Sequence, residues 1–286
     1  MKKIGDVYAI FKNGLNRIYD TDEINAITSL ILSDLLKISK AKLKAFPEFE
    51  LAEDQLQKLL KILAELQTGT PVQYVLGHTE FYGLPFDVTP AVLIPRPETE
   101  ELVRWIIETA ERSALPVGNI LDIGTGSGCI AVTLKKHLPQ ARVFAMDVSA
   151  AALHVAQRNA RLNGAAIDFI YDDILKPQAR LPQFDVIVSN PPYVTACDKA
   201  KMHANVTEFE PHTALFVPDD DPLVFYKAIT RFAGLQLQPG GYLFFEINES
   251  YGKQTLQLLD GSIFKYNELR KDITGKDRMI MAQLHG

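Results

Sequence analysis

Residues 119–128 read NILDIGTGSG, and this stretch decides the fold class. A short apolar run that contains Asp122 is followed by Gly124, Gly126 and Gly128, and a helical pattern begins near Ser127. Glycines let a backbone approach a ligand closely, and the first turn of a helix offers free N–H groups to a polar or negative group. The stretch therefore predicts a strand, a ligand-binding loop and a helix in succession.

The pattern continues downstream of this loop. The runs RVFAM, IDFIY, DVIVS and GYLFFEI have the length and composition of buried strands. Helices are predicted between them, one with Ser149 as its N-cap and Gly164 just past its end, and one near residues 223–232. Such alternation predicts an α/β fold with a mostly parallel sheet covered on both faces. The last two runs, SIFKYNEL and DRMIMAQL, are expected to pair as an antiparallel hairpin at the sheet edge.

The N-terminal part has a different pattern. Apolar residues recur there at three- and four-residue steps, and Asp20 with Glu23 resembles a helix-capping pair. We expect three parts: a small helical bundle domain over residues 1–70, a joining segment with a short β-hairpin over residues 71–96, and the α/β domain over residues 97–286. In the joining segment VQYVLG and TEFYG are interpreted as short strands, and a helix is expected from Pro97.

Composition excludes several classes of protein. Of the 286 residues, 47% are apolar and 23% charged, which is typical of a globular chain and not of a disordered, collagen-like or coiled-coil one. No secretory signal or membrane-spanning run is recognised, so a cytoplasmic location is expected. Two cysteines and six scattered histidines predict no metal site. The net charge of −5 argues against a protein that holds nucleic acid through its charge.

The glycine spacing and the acid after it favour a nucleoside ligand. The loop is G-x-G-x-G, whereas a dinucleotide fingerprint needs G-x-G-x-x-G, so a nicotinamide dehydrogenase is disfavoured. Asp147 ends the next strand and can accept both hydroxyls of a ribose. The plainer interpretation is a tight turn with an ordinary helix-start acid. Asp173, just past the third strand, is either near an adenine ring or a solvated turn acid, and Ile174 either flanks that ring or belongs to the core.

Asn190-Pro191-Pro192-Tyr193 is the second chemical signal. It follows the strand DVIVS, at the carboxyl edge where open α/β sheets bind ligands. The Asn190 side-chain oxygen and a proline carbonyl can accept two hydrogen bonds from one –NH₂ group. They would orient this poor nucleophile and favour the positive charge that develops when it attacks a methyl sulfonium. Tyr193 offers a ring for a planar group. The alternative interpretation of this tetrapeptide is a rigid turn that ends the strand and has no role in chemistry.

The order of these motifs resembles class I S-adenosylmethionine-dependent N-methyltransferases, which have a Rossmann-like sheet. PVQYVLGHTEFYGLPFDVTPAVLIPRPETE, the stretch over residues 71–100, resembles the joining segment of the HemK/PrmC family. Members of that family are protein-(glutamine-N5) methyltransferases that act on class I peptide chain release factors. FEPHTALFVPDDD, LQPGGYLFFEI and ITGKDRMIMAQL add to the resemblance, which covers essentially the whole chain.

The resemblance implies a role for each site residue. The DIGTGSG loop would hold the cofactor S-adenosylmethionine at its methionine end, Asp147 would bind its ribose, and Asp173 would face its adenine. Asn190 and Pro191 would bind the glutamine amide of the release factor's Gly-Gly-Gln loop. Ile174 stands where family members often carry an aromatic residue. The residues expected in cofactor binding are Asp122, Gly124, Thr125, Gly126, Ser127, Gly128, Asp147, Asp173, Ile174 and Asn190, and those expected in catalysis or substrate binding are Asn190, Pro191, Pro192, Tyr193, Arg96 and Glu98.

Arg96, Pro97 and Glu98 resemble a family stretch that lies near the active site, although Arg96 could also be a plain salt-bridge residue. The helical N-terminal domain would be the surface that docks the release factor.

Two other functions remain open from the sequence. A DNA adenine or RNA base methyltransferase could use the same NPPY pocket, but such an enzyme usually carries a large basic surface. The KISKAKLK stretch has only four lysines and is followed by acids. A non-catalytic module that binds a translation factor would have no need of intact cofactor and acceptor motifs.

Overall fold

The computed structural model describes residues 2–112, 117–200, 202–259 and 261–286. The chain forms two compact units. A helical unit contains the chain up to Gly77 together with Ala204–Phe209, and an α/β unit contains His78–His203 and Glu210–Gly286. The helical unit thus extends past residue 70, where the sequence places the end of the helical domain.

The helices and strands follow in chain order. The α-helices of the described residues are α1 (Ile4–Leu15), α2 (Thr21–Leu36), α3 (Lys40–Ala45), α4 (Glu53–Leu66), α5 (Val72–Leu76), α6 (Pro97–Arg112), α7 (Cys129–His137), α8 (Ala150–Leu162), α9 (Ala196–Lys199), α10 (Ala204–Phe209), α11 (His212–Leu215), α12 (Val224–Gln236) and α13 (Gly252–Gln257). The strands are β1 (His78–Phe81), β2 (Leu84–Asp87), β3 (Asn119–Ile123), β4 (Arg142–Asp147), β5 (Ile167–Tyr171), β6 (Phe184–Ser189), β7 (Leu237–Glu246), β8 (Phe264–Lys271) and β9 (Asp277–Leu284). A 3₁₀ helix covers Glu249–Tyr251. In the part of the chain described here, no helix is both long and apolar enough to cross a membrane.

The helical unit is built from amphipathic helices. In α1 the residues at three- and four-residue steps, from Ile4 to Leu15, are buried, as the periodicity predicts. The Asp20 side chain accepts a hydrogen bond from the Glu23 backbone N–H at 2.9 Å, so the predicted cap of α2 is confirmed. The later segment α10 belongs to this unit, where the Asn205 amide donates to the Tyr19 hydroxyl at 2.6 Å.

The sheet of the α/β unit has the order β5-β4-β3-β6-β7-β9-β8. The first five strands in this order are parallel, and β9 runs antiparallel to both β7 and β8. This confirms the predicted mostly parallel sheet with an antiparallel C-terminal hairpin. Neighbouring residues Ile120 and Leu121 belong to two different core clusters, because each side of the sheet is covered.

The chain direction reverses between β3 and β6. After β3 the chain moves outward through β4 to β5, and β6 then returns to pair with the other side of β3. In such sheets the loops at the carboxyl ends of the two central strands separate and leave a crevice between them. The glycine loop follows β3 and the NPPY turn follows β6, so the topology brings both sequence signals to this crevice.

One predicted strand is wrong. Residues 72–76 of the VQYVLG run form the short helix α5, with Pro71 before it and Gly77 at its end in the left-handed region with φ 78°. A short apolar run has no periodicity that distinguishes strand from helix, so the flanking residues decide. The TEFYG part is a strand, since β1 and β2 form an antiparallel hairpin.

The other predicted elements agree closely. Helix α6 begins at Pro97, and Ser149 caps α8 through a hydrogen bond from the Ala152 N–H at 3.1 Å. Helix α7 begins at Cys129 and not at Ser127, because Gly128 is its N-cap and lies in the left-handed region with φ 79°.

Gly241, in β7, provides a stability test. A Cβ atom there would lie 2.9 Å from the Gln238 carbonyl oxygen, 3.0 Å from that of Asp185 and 3.2 Å from that of Phe184. All three are backbone atoms at a register irregularity between β6 and β7, so relief requires the strands to shift. We expect Gly241→Ala to lower the free energy of unfolding by about 1–3 kcal/mol in urea titrations.

Gly261→Ala is the matched control, because a Cβ there meets no atom within 4 Å. Its effect should stay within about 0.5 kcal/mol. Equal stability of the two variants would contradict the steric argument.

Candidate active site

A cavity occupies the crevice at the carboxyl edge of the sheet, within the α/β unit. It encloses about 1070 Å³ of space, part of it open to solvent. Its lining comes from the loops after β3, β4, β5 and β6, from the segment before α6 and from α12. The predicted site residues that line it are Arg96, Gly124, Thr125, Gly126, Ser127, Asp147, Asp173, Ile174, Asn190, Pro191 and Pro192. Four others, Asp122, Gly128, Tyr193 and Glu98, are not part of the lining.

The three loop glycines have different roles. Gly124 and Gly126 line the cavity in the left-handed region, with φ 73° and 54°. Gly128 also has a positive φ of 79°, but a Cβ there would lie 3.0 Å from the Ala156 Cβ. Gly128 therefore lets α7 approach α8 closely, whereas the first two glycines expose backbone to the cavity.

Asp147 holds the loop in place. Its Oδ2 accepts a hydrogen bond from the Gly126 N–H at 2.9 Å, and its Oδ1 accepts one from the Ser149 N–H at 2.8 Å. Each carboxylate oxygen has a second lone pair, so both can still accept a hydroxyl hydrogen. Burial raises the pKa of Asp147, and the backbone donors oppose that rise. The arrangement fits a ligand with a vicinal diol, as the ribose of a nucleoside has.

Acidic and aliphatic residues line the cavity in the loops that follow β4 and β5. Asp173 and Ile174 line it, and so does Val148, an exposed residue that is not among the site residues predicted from the sequence. The Asp173 Oδ1 accepts the Leu175 N–H at 2.9 Å, so this acid also shapes its turn. Neighbouring Asp172 accepts hydrogen bonds from the backbone N–H groups of residues 178 and 179 and therefore stabilises the loop after β5.

Asp122 lies beneath the glycine loop. Its side chain is fully buried, and its Oδ2 accepts the Thr125 hydroxyl at 2.6 Å. Burial raises the pKa of Asp122 to about 7, against the lowering effect of the hydrogen bond from Thr125. The geometry gives Asp122 a support role for the loop.

Asn190 faces the glycine loop across the crevice. Ser189, the residue before it, pairs with Ile123, the last residue before Gly124. The Ser189 hydroxyl donates to the Ile123 carbonyl at 2.7 Å and ties the two strand ends together. The NPPY turn and the cofactor-type loop are therefore next to each other.

A buried polar network is hydrogen-bonded to Asn190. Its side-chain amide donates to the Thr99 hydroxyl at 3.2 Å, and Thr99 donates to Glu246 Oε2 at 2.6 Å. The Tyr193 hydroxyl donates to Glu246 Oε1 at 3.2 Å, so this ring is held inward. Burial raises the pKa of Glu246, while Thr99, Arg278 and Tyr193 lower it. Neither Thr99 nor Glu246 is among the site residues predicted from the sequence, although a single acid inside the apolar GYLFFEI run is a usable signal.

Arg96 reaches the cavity and is also paired. Its guanidinium forms a hydrogen-bonded ion pair with the Glu210 carboxylate, whose side chain is only 1% exposed. Glu210 also accepts the Ile94 N–H at 3.2 Å, so this acid fixes the segment that leads into α6. Arg96 therefore has both of the roles that the sequence left open, as a cavity-lining cation and as a salt-bridge residue.

The parallel sheet with a glycine loop at its switch point and an acid at the next strand end defines a Rossmann-like methyltransferase fold. The Methyltransferase small domain family matches residues 103–209, and the PrmC N-terminal domain family matches residues 11–77. The chain is 49% identical to the release factor glutamine methyltransferase of Flavobacterium psychrophilum over 94% of its own length and 95% of that protein. It is 40% identical to the protein of the same name from Bacteroides thetaiotaomicron, over 96% and 98% of the two chains. The chain therefore belongs to the release factor glutamine methyltransferase family.

Solved structures support the fold. The hMettl16 catalytic domain, in complex with an RNA hairpin, superposes with a TM-score of 0.55 at 19% identity, covering 75% of this chain and 81% of that one. The T. thermophilus 16S rRNA methyltransferase RsmC, in complex with AdoMet and guanosine, gives a TM-score of 0.52 at 18% identity, covering 73% of this chain and 50% of that one. At these identities the likeness concerns the fold alone.

The raised pKa of Asp122 predicts a pH-dependent stability difference. An acid whose pKa is raised by folding binds its proton more tightly in the folded chain, so its favourable contribution is present at low pH. That contribution is lost as the pH rises from about 4 to about 7. The side chain of Asp122→Asn does not titrate. Between pH 5 and pH 8 the free energy of unfolding of this variant should therefore rise by about 2–3 kcal/mol relative to that of the parent, at about 1.4 kcal/mol per pH unit.

Urea unfolding of both proteins across this range measures the difference. Asp168→Asn, which removes an exposed acid paired with Arg142, is the control for the loss of a surface carboxylate. Parallel stability curves for the parent and Asp122→Asn would contradict the assignment.

Proposed function

We propose that this protein transfers a methyl group from S-adenosylmethionine to the side-chain amide nitrogen, N5, of the glutamine in the Gly-Gly-Gln loop of class I peptide chain release factors. The observation that carries the proposal is the position of Asn190 beside the glycine loop in a single cavity. A methyl donor held by the loop and an amide held by Asn190 would meet there. Membership of the release factor glutamine methyltransferase family supports this substrate.

The residues present fit the cofactor. Gly124 and Gly126 leave open space for a ligand against the backbone, and Asp147 keeps free lone pairs for a ribose diol. Asp173, Ile174 and Val148 would surround the adenine. When bound, S-adenosylmethionine supplies an electrophilic methyl group on a sulfonium sulfur.

The chain's own contribution is to orient a weak nucleophile. The nitrogen of an amide has a delocalised lone pair, so it must be aimed at the methyl carbon and its developing positive charge must be stabilised. The Asn190 side-chain oxygen and the Pro191 carbonyl would accept the two hydrogens of the –NH₂ group and do both. The nitrogen loses one of these protons after the transfer, so no general base has to act first.

The remaining assignments follow from the same proposal. The helical domain over residues 1–70 would dock the release factor, the segment over residues 71–96 would join it to the α/β domain over residues 97–286, and Arg96 and Glu98 would assist substrate binding. A translation factor as substrate supports a cytoplasmic location. The acidic net charge of −5 supports a protein partner over stable nucleic-acid binding.

A nucleic-acid base methyltransferase is the alternative use of an NPPY pocket. The relatives that match nearly the whole chain favour the release factor instead. Salt-sensitive binding of duplex DNA or RNA in a gel shift, with methyl transfer to a base, would revive this alternative.

The direct test incubates the protein with radiolabelled S-adenosylmethionine and a purified class I release factor. We expect label in the release factor and none after Gln→Ala in its Gly-Gly-Gln loop. Equal label in both would refute the proposal.

Asn190→Ala tests the acceptor mechanism. Loss of one fixed group that stabilises developing charge typically costs about 10²–10³-fold in rate, so we expect a fall of about that size in single-turnover methyl transfer. The dissociation constant for S-adenosylmethionine, measured by calorimetry, should change little. Asn119→Ala, at the opposite end of the sheet where the amide only donates to the Gln183 carbonyl, is the control. Full activity of Asn190→Ala would overturn the mechanism.

Asp147→Asn tests the cofactor site. It removes the charge that holds the Gly126 N–H and introduces a donor in its place, so we expect S-adenosylmethionine to bind about tenfold more weakly or worse in calorimetry. Asp168→Asn again serves as the control, and unchanged affinity of the Asp147 variant would refute this role.

A further inference from the structure

A chain of buried hydrogen bonds runs from the end of β7 to Asn190, and its middle member, Thr99, also lines the cavity. Its members are the Asn190 Nδ2, the Thr99 hydroxyl and the Glu246 carboxylate, joined at 3.2 Å and 2.6 Å. Thr99 and Glu246 are 2% and 1% exposed. Neither residue has a role in the proposed reaction so far, although a buried carboxylate is costly to maintain.

The chemistry of these groups gives the chain a fixed direction. Both oxygens of the Glu246 carboxylate accept a hydroxyl hydrogen, one from Thr99 and one from Tyr193, and a threonine hydroxyl has a single hydrogen to donate. Since Thr99 donates that hydrogen to Glu246, it can only accept from Asn190. The only donor on an asparagine side chain is its –NH₂ group, so this group must face Thr99. The Asn190 Oδ1 is then directed away from Thr99.

Strand register places these groups together. Glu246 is the last residue of β7, and in the pairing with β6 the preceding residue, Phe245, lies opposite Ser189. Glu246 is therefore beside Asn190. Thr99 lies in the first turn of α6, between the two side chains. The Tyr193 hydroxyl donates to the second oxygen of the same carboxylate, so Glu246 contacts both ends of the NPPY turn directly or through Thr99.

We infer that Thr99 and Glu246 are positioning residues that fix the Asn190 side chain with its oxygen toward the substrate, and that they thereby select an amide –NH₂ over a carboxylate. The inference rests on the proposed function. An acceptor pair favours the two hydrogens of a glutamine amide, whereas it repels the oxygens of a glutamate at the same place. A reversed Asn190 would present its –NH₂ and favour the glutamate.

Glu246→Gln is the sharpest variant. It keeps the size of the side chain, but the new amide can donate to the Thr99 hydroxyl. The threonine hydrogen is then free for Asn190, which can turn its oxygen toward Thr99 and its –NH₂ toward the substrate. Thr99→Val removes the acceptor of the Asn190 –NH₂ and frees the side chain to rotate, while Thr99→Ser keeps the hydroxyl.

The test uses the full-length protein with a class I release factor and with the same factor carrying Gln→Glu in its Gly-Gly-Gln loop. Two quantities are measured: kcat for methyl transfer to the glutamine factor, and the ratio of the inhibition constant of the glutamate factor to the KM of the glutamine factor. The two factors have the same docking surfaces outside this loop, so the contribution of these surfaces to binding cancels in the ratio. Melting temperature and S-adenosylmethionine affinity establish that each variant is folded.

We expect Thr99→Ser to retain kcat and the ratio of the parent. Glu246→Gln and Thr99→Val should each lower kcat about tenfold or more. Both should also lower the ratio, Glu246→Gln by about tenfold, as the glutamate factor becomes a better inhibitor. Thr255→Val is the matched control. Thr255 is equally buried, and its hydroxyl has no hydrogen-bond partner among the described residues, so kcat and the ratio should not change.

Unchanged kcat and an unchanged ratio in Glu246→Gln and Thr99→Val would overturn the inference. A fall in kcat with an unchanged ratio in Glu246→Gln would also overturn it, because that is the result of a merely structural role. If Glu246→Gln does not fold, Thr99→Val tests the inference in its place. The inference is then supported if Thr99→Val lowers the ratio while Thr99→Ser keeps the ratio of the parent, and any other result overturns it. Failure of the parent protein to methylate the release factor would instead refute the proposed function.

Discussion

The parallel pairing of β3 with β6 is the constraint on which the site depends. Ile123 and Ser189 are partners in that pairing, so the residues that follow them, Gly124 and Asn190, begin two loops from adjacent points on one sheet edge. The chain leaves β3 toward β4 and leaves β6 toward β7, so these loops separate and open a crevice. A shift in this register would displace the donor side of the cavity from the acceptor side, whatever residues the two loops contained.

Three carboxylic acids are buried next to the crevice, where an unpartnered carboxylate would be unfavourable. Asp122, Glu210 and Glu246 are all almost fully buried. Each accepts hydrogen bonds from neighbours that border the cavity: Asp122 from Thr125, Glu210 from Arg96 and Glu246 from Thr99. Burying a carboxylate costs free energy that only such partners offset. The three acids therefore hold cavity-lining segments in place, and their burial has a common structural explanation.

Much of this could be predicted from the sequence, because the informative signals are local. The glycine loop, Asp147 and the NPPY turn each stand at the end of an apolar run, and a strand end fixes the sheet edge without knowledge of the remaining fold. The strand assigned to VQYVLG was wrong, since a run of five residues between Pro71 and Gly77, four of them apolar, is too short to have a distinguishing period. Gly128 looked like a ligand-binding glycine, but its contact with Ala156 depends on how two helices pack.

Thr99 and Glu246 could not be paired from the sequence for a related reason. They are separated by 147 positions, and their contact depends on the rotation of α6 and on the register of β7. The two prolines of the NPPY turn explain why such a contact is needed. Pro191 and Pro192 fix backbone angles, but they do not restrain rotation about the side-chain bonds of Asn190. The oxygen and nitrogen of an asparagine amide are nearly identical in shape, so only hydrogen-bond direction distinguishes one orientation from the other. The rigidity of the turn and the orientation of its amide thus have separate physical sources, one local in sequence and the other built by the tertiary fold.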